Sequence, residues 1–345
     1  MNPGTASRIK IMADCFNKMI SKFLSPLSHL EKGVIDALYF LRHDDVFVFT
    51  EGYLHPREGL MGKAMLYPSP DGEVDIFGRS FKSSYKRVVS GDLELIPHPE
   101  QLEVQFQITP SLDRNLPRPV YEEYHVQFPL DRFRGVFEHR RSLRKAMEIY
   151  PSVSKTVEDL SKEFEMPLER LGCTGSTCYG KFEEPGDDID LVFYGTLEEN
   201  RRVVARIQEI TRDPGNRVVE FGKLWPIRFF WNKTMICSFF NYRLESEIPL
   251  RRCRMIPLAA VSGRGVVADD THSIYMPSIL RLSELILNGE KTTDRDLIIY
   301  DGSLRGEYYQ GDRLEFRAKL VRIEDGRKNY QALLVTLSDD IRKAG

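Results

Sequence analysis

Asp188 and Asp190 flank a single apolar residue in Asp188-Ile189-Asp190-Leu191, and Val192 and Phe193 continue the apolar run. In an extended strand alternate side chains share a face, so this spacing aims two carboxylates at one point while Ile189 and Leu191 face the other way. Two acids placed so closely repel unless a cation joins them, and hard oxygen ligands on a short strand suit Mg2+. Upstream lie Gly175-Ser176 and a second glycine, Gly180. A glycine lets the backbone come close to a phosphate, and the N–H groups of a turn entering a helix bind anions. Gly175 and Ser176 are therefore candidate nucleotide-binding residues, and Asp188 and Asp190 candidate metal ligands.

The stretch GSTCYGKFEEPGDDIDLVFYG resembles the signature of the DNA polymerase beta nucleotidyltransferase superfamily: a Gly-Ser pair, a spacer with a second glycine, then Asp-x-Asp in a hydrophobic strand. More loosely, most of the chain is similar to a group of predicted nucleotidyltransferases from archaea, in which a segment like GYLHPREGLMGKAMLYPSPDG (Gly52 to Gly72) precedes a TGS…DIDLVFYG core. The resemblance implies that Asp188 and Asp190 hold one or two Mg2+ ions while Ser176 and nearby N–H groups hold the β and γ phosphates of a nucleoside triphosphate. A hydroxyl acceptor would attack the α phosphorus and pyrophosphate would leave. Two ions roughly 3.5–4 Å apart stabilise entering and leaving oxygens together. The superfamily places a third carboxylate on a later strand beside the Asp-x-Asp strand. Glu220 in Val218-Val219-Glu220-Phe221 is the best candidate, which makes the expected catalytic set Asp188, Asp190 and Glu220. The strand from Met235 to Phe240 offers only Cys237 and Ser238 centrally, and if that is the equivalent strand the site has two carboxylates. The alternative function is a nucleotide- or RNA-binding regulatory protein on the same core, without turnover. Tyr308 and Tyr309, read as exposed near Arg305 and Arg313, would then contribute to binding.

Composition bounds these readings. The 49 basic and 51 acidic residues leave a net charge of −2, so no overall field draws in nucleic acid and any such contact is local. Five cysteines, Cys15, Cys173, Cys178, Cys237 and Cys253, are odd in number and scattered. They give no disulfide framework and fit a reducing cytoplasm. Between Arg8 and Leu24, Ile9, Met12, Ala13, Phe16, Met19, Ile20 and Phe23 recur at helical spacing with lysines between, which describes an amphipathic helix rather than a signal peptide. No apolar run approaches membrane-spanning length, so no membrane partner is expected.

The elements that must position these residues follow from periodicity. With 345 residues the chain exceeds one usual domain. The reading is an α+β fold: a nucleotidyltransferase-like core of mixed sheet and helices at 121–250, between a helical and β-rich module at 1–120 and a β-barrel-like module at 251–345. A short helix from Leu27 to Leu41 is expected, then strands at Val46 to Phe49, Leu60 to Tyr67, Val74 to Phe77, Leu93 to Ile96 and Leu102 to Ile108. Three prolines between Thr109 and Pro119 mark a linker. Helices follow at His139 to Tyr150, with Arg140, Arg141, Arg144 and Lys145 as a basic face that could meet phosphate, and at Ser152 to Phe164. A helix at Leu197 to Thr211 leads to strands at Arg217 to Phe221, Pro226 to Trp231 and Met235 to Tyr242. Further on, Gly265 to Ala268 and Ile274 to Ile279 read as a hairpin, Pro277 to Leu287 as a helix, and the end of the chain as a hairpin turning at Asp325-Gly326. A weak echo links Asp45 to Gly52 with Asp296 to Gly302: four apolar residues after an aspartate, then acid-glycine.

Overall fold

A computed structural model describes residues 15–30, 33–56, 59–89, 92–115, 118–183, 187–326 and 329–344. The fold is α+β. Its centre is a five-stranded mixed sheet in the order Leu171–Cys173, Ile189–Gly195, Thr234–Tyr242, Lys223–Trp231, Arg217–Glu220. Ile189–Gly195 runs antiparallel to the first of these and parallel to Thr234–Tyr242. A parallel pair needs a crossover, and the helix Leu197–Ile210 begins it, opened by a capping box between Thr196 and Glu199. Ile189, Leu191 and Phe193 are fully buried, which pins the strand's register because a slip by one residue would send them to the other face.

The amino-terminal helix is described over 15–23, where Phe16, Ile20 and Phe23 are wholly buried; Ile9, Met12 and Ala13 lie outside the described residues. Phe23 packs against Gly180, where a β-carbon would come 2.3 Å from its ring. The motif's second glycine thus makes room for an aromatic ring. An eight-stranded sheet follows, and it takes in Val126–Pro129 and Phe133–Phe137, both past residue 120.

Two expectations here are corrected. Leu27 to Leu41 holds only a 3-10 turn at Leu27–His29 before the strand Tyr39–Arg42, because Gly33 and Ala37 have left-handed backbones that no helix accommodates. Leu102 to Ile108 is not a strand but the end of a helix, His98–Ile108, started by prolines at 97 and 99. Val104, Phe106 and Ile108, which alternate with Glu103, Gln105 and Gln107 as in a half-buried strand, misled, since the most buried residues are Gln101 and Gln105.

The carboxy-terminal sheet closes on itself. Arg254–His272 pairs with both Ser278–Leu287 and Arg313–Glu324, and Arg295–Ile299 and Asn329–Val335 complete the ring, the last two in parallel. The helix expected from Pro277 to Leu287 is therefore the barrel strand Ser278–Leu287; its buried Leu280 and Leu282 alternate with outward Arg281. The expected hairpin exists, but its turn falls after His272 rather than within Asp269 to His272. Tyr308 is buried in the barrel core, not exposed, and Arg305 is buried too. One apolar core runs from the helix at 15–23 through the central sheet to Tyr275. No helix among the described residues is long and apolar enough to cross a membrane.

Candidate functional site

Asp190 stands at the second position of its strand and Asp188 just before it. The ladder sets Asp190 opposite Cys237 on the parallel neighbour, and Cys237 opposite Arg228 on the next strand. These three side chains form a row across the sheet. Ligand atoms of Asp188, Asp190 and Cys237 all lie within 4.8 Å of one another, and the Cys237 thiol donates to Asp188 Oδ2 at 3.4 Å.

Gly175 closes the row from the other side. Its φ is +60°, and a β-carbon there would lie 1.7 Å from Asp190 Oδ2. Only glycine satisfies both demands, so backbone and carboxylate meet without an intervening side chain. Thr174 fixes the approach: its N–H donates to the Asp190 carbonyl at 2.9 Å and its hydroxyl to the Ala37 carbonyl at 2.6 Å. Ser176 follows Gly175 in the short turn of helix Gly175–Cys178, half-exposed.

Burial, then the charge of Asp188, pushes the Asp190 carboxyl up to about 7, against the pull of Arg228 and Lys86. The pair is short of positive charge, which fits a cation between two hard carboxylate oxygens. Burial raises the Cys237 thiol as well, so it enters as a neutral neighbour rather than a third anion. The donor set fits one divalent ion, which the two carboxylates would hold.

Over Asp190 lies a cavity of about 220 Å³ to which three parts of the chain contribute. Lys63 and Lys86 come from the amino-terminal module, Gly175, Trp225 and Arg228 from the central sheet, Ser303 and Arg305 from the barrel side. Each cation rests on an aromatic face: Arg228 over Trp225 at 3.8 Å, Arg305 over Phe239 at 4.6 Å, Lys63 over Tyr85 at 5.7 Å and Lys86 over Phe221 at 5.7 Å. Arg228 is paired with Glu220 at 2.5 Å and Arg305 with buried Asp36 at 3.2 Å. Lys63 and Lys86 carry no ion pair among the described residues. Free ammonium groups around a cavity floored by Asp190 are what a bridging polyanion needs.

The structure thus joins Asp188, Asp190 and Gly175. It does not bring Glu220 to them: Glu220 ends the outer strand Arg217–Glu220, with two strands between it and the strand of Asp190, and its carboxylate serves Arg228. Cys237 holds the place beside Asp190. The basic helix also lies elsewhere. Arg140 stacks on Tyr194 at 4.2 Å over a separate cavity of about 360 Å³, and Lys145 pairs with Glu148.

Sequence reasoning missed Lys63, Lys86 and Arg228, and named Arg305 only as a neighbour of Tyr308 and Tyr309. Two had a signal: Lys63 in Leu-Met-Gly-Lys-Ala-Met-Leu and Arg228 in Pro-Ile-Arg-Phe-Phe are lone cations inside apolar strands, and such a charge stays buried only for a partner or a ligand. No protein-family model, no curated protein and no solved structure matches this chain.

Proposed function

We propose that the chain is a metal-dependent nucleotidyltransferase that moves a nucleoside monophosphate from a triphosphate to a hydroxyl acceptor. The observation that carries this reading is the contact of Gly175 with Asp190, where a β-carbon would sit 1.7 Å from Oδ2, under a cavity supplied with Lys63, Lys86, Arg228 and Arg305. Asp188 and Asp190 would hold Mg2+, which supplies charge neutralisation at the phosphates and lowers the pKa of the attacking hydroxyl. Lys63 and Lys86 would bind phosphate oxygens as point charges, and Arg228, oriented by Glu220 and stacked on Trp225, would offer its planar fork. Gly175 lets the backbone amides approach, and Ser176 would bind a phosphate beside them.

The test is pyrophosphate release from each nucleoside triphosphate with Mg2+, on the unmodified protein and on Asp190→Asn. Release that needs Mg2+ and falls at least a hundredfold in Asp190→Asn is expected. Magnesium-dependent nucleotide binding without pyrophosphate, across RNA, protein and small-molecule acceptors, would refute turnover. It would leave the second reading, a nucleotide- or RNA-binding regulator. Cys237 beside Asp190, where a third carboxylate would complete a two-ion site, favours that second reading.

A further inference from the structure

Across a wall shared by Glu51, Lys63, Tyr85, His125, Gly302 and Ser303, the cavity over Asp190 adjoins a second chamber of about 470 Å³. Its chemistry is the reverse of the first. Glu122, Glu123, Asp301 and Asp339 line it, so it repels phosphate. Most of its charge is already matched. Glu51 takes His125 Nε2 at 3.0 Å, Glu123 pairs with Lys319, and Asp301 accepts the N–H groups of Ser303 and Ser338 at 2.9 Å.

Two acceptors are left over. Glu122 is 3% exposed and Gln101 1% exposed, both line the chamber, and Glu122 Oε1 and Gln101 Oε1 have no hydrogen-bond partner among the described residues. Buried acceptors call for donors. The other walls are flat rings: Tyr124 against His98 with centroids 4.8 Å apart, and Tyr121 against Tyr300 at 4.9 Å.

We propose that this chamber receives a nucleobase bearing an amino group where its analogue has a ring carbonyl (adenine or cytosine), its N–H groups donating to the free oxygens of Glu122 and Gln101 and its ring lying on the tyrosines. The inference rests on reading the Asp190 cavity as the triphosphate site. One ligand then spans both chambers, anionic end on the cations and donor-bearing ring on the acceptors.

Calorimetry on the full chain with Mg2+ compares ATP with ITP and CTP with UTP, since each pair differs in little but an amino group replaced by a carbonyl. At least tenfold tighter binding of the amino member is expected in one pair or both, because a site built to accept a hydrogen bond rejects the analogue lacking the donor. Glu122→Gln offers an amide that can donate instead, and should cut that preference below about threefold while inorganic tripolyphosphate binds as before. Tyr124→Leu should weaken all four nucleotides about tenfold, again sparing tripolyphosphate, since each base loses a stacking surface. Equal binding within both pairs, or a preference that survives Glu122→Gln, would overturn the inference. The two readings fail separately. Nucleotides bound without base preference but lost in Asp190→Asn leave the transferase standing alone. Adenosine or cytidine bound with preference, while no triphosphate binds, leaves the base chamber standing alone.

Discussion

At Gly175 the backbone has φ +60° and the space beyond its α-carbon is filled by the Asp190 carboxylate, 1.7 Å from where a β-carbon would sit. Gly175→Ala must therefore push Asp190 away or shift the turn. The left-handed conformation alone costs a non-glycine residue about 1–2 kcal/mol. The expected result is a lower melting temperature together with a Mg2+ affinity reduced at least tenfold, read by thermal unfolding and calorimetry. Gly180→Ala, whose β-carbon would strike the Phe23 ring, should cost stability without that selective loss of metal, so the pair of variants separates a ligand-facing glycine from a packing one. An unchanged Mg2+ affinity in folded Gly175→Ala would show that Asp190 is not a ligand. Asp188, Asp190 and Gly175 were legible in the sequence because a period-2 strand fixes which side chains share a face. Glu220 was misplaced because sequence order puts it on the strand after the helix, whereas the sheet puts Thr234–Tyr242 next to Ile189–Gly195 and sends Arg217–Glu220 to the far edge.

At the scale of elements, the helix His98–Ile108 shows what apolar patterning does not carry. Gln105 accepts from the Ala64 N–H at 2.7 Å and donates to the Ala64 carbonyl at 3.3 Å and the Gln101 carbonyl at 3.2 Å. It completes backbone groups of the long strand Gly59–Pro68 from which Lys63 reaches the cavity. A buried amide that substitutes for a neighbouring strand leaves no hydrophobic signature, and Val104, Phe106 and Ile108 then imitate a strand. Gln105→Leu leaves the Ala64 N–H unpaired, while the Ala64 carbonyl keeps the Ser84 hydroxyl, and should destabilise the fold by about 1–3 kcal/mol, measured by urea unfolding; a change below about 0.5 kcal/mol would remove Gln105 from that role. The strand Ser278–Leu287 misled in the opposite sense. Its apolar residues also fall at helical spacings, and only closure of the barrel between Arg254–His272 and Arg295–Ile299 decides the period. The helices His139–Ile149 and Leu197–Ile210 were legible because their apolar positions repeat at threes and fours over eleven or more residues.

On the scale of the whole molecule, the two echoed acid-glycine turns meet. Tyr300 donates its hydroxyl to the Glu51 carbonyl at 3.3 Å, and a β-carbon on Gly52 or Gly302 would strike Tyr300 or Glu51. Buried Asp36 accepts from the Gly52 N–H at 2.8 Å and pairs with Arg305 at 3.2 Å. Beside them His125 bridges Glu51 and Glu122. This junction ties the amino-terminal sheet to the barrel side and forms the wall between the two chambers, so its protonation state is a property of the assembled molecule. Burial disfavours His125 as a cation, but the charge and hydrogen bonds of Glu122 and Glu51 outweigh it and Lys63 together, raising the imidazole to about 9. Its partner Glu51 is held down at about 2, while neighbouring His55, pushed to about 4 by burial, stays neutral at neutral pH. A cation with a raised pKa binds its proton more tightly in the folded state, so its stabilisation is complete below pH 6.5 and drains away as pH rises through 9. Asp36 and Asp190, raised to about 6 and about 7, act in the same direction but have largely titrated by pH 7.5. From pH 7 to 9 the unfolding free energy should therefore fall by about 2 kcal/mol, the share of a shift from 6.5 to 9 spent in that window at about 1.4 kcal/mol per unit. Denaturant unfolding at half-unit steps reads that slope. In His125→Gln the protein should be less stable at pH 7, because two buried carboxylates lose their common partner, and the fall between pH 7 and 9 should flatten. A wild-type curve level over that window, or an undiminished slope in His125→Gln, would mean that the imidazole between Glu51 and Glu122 is not a cation in the folded molecule.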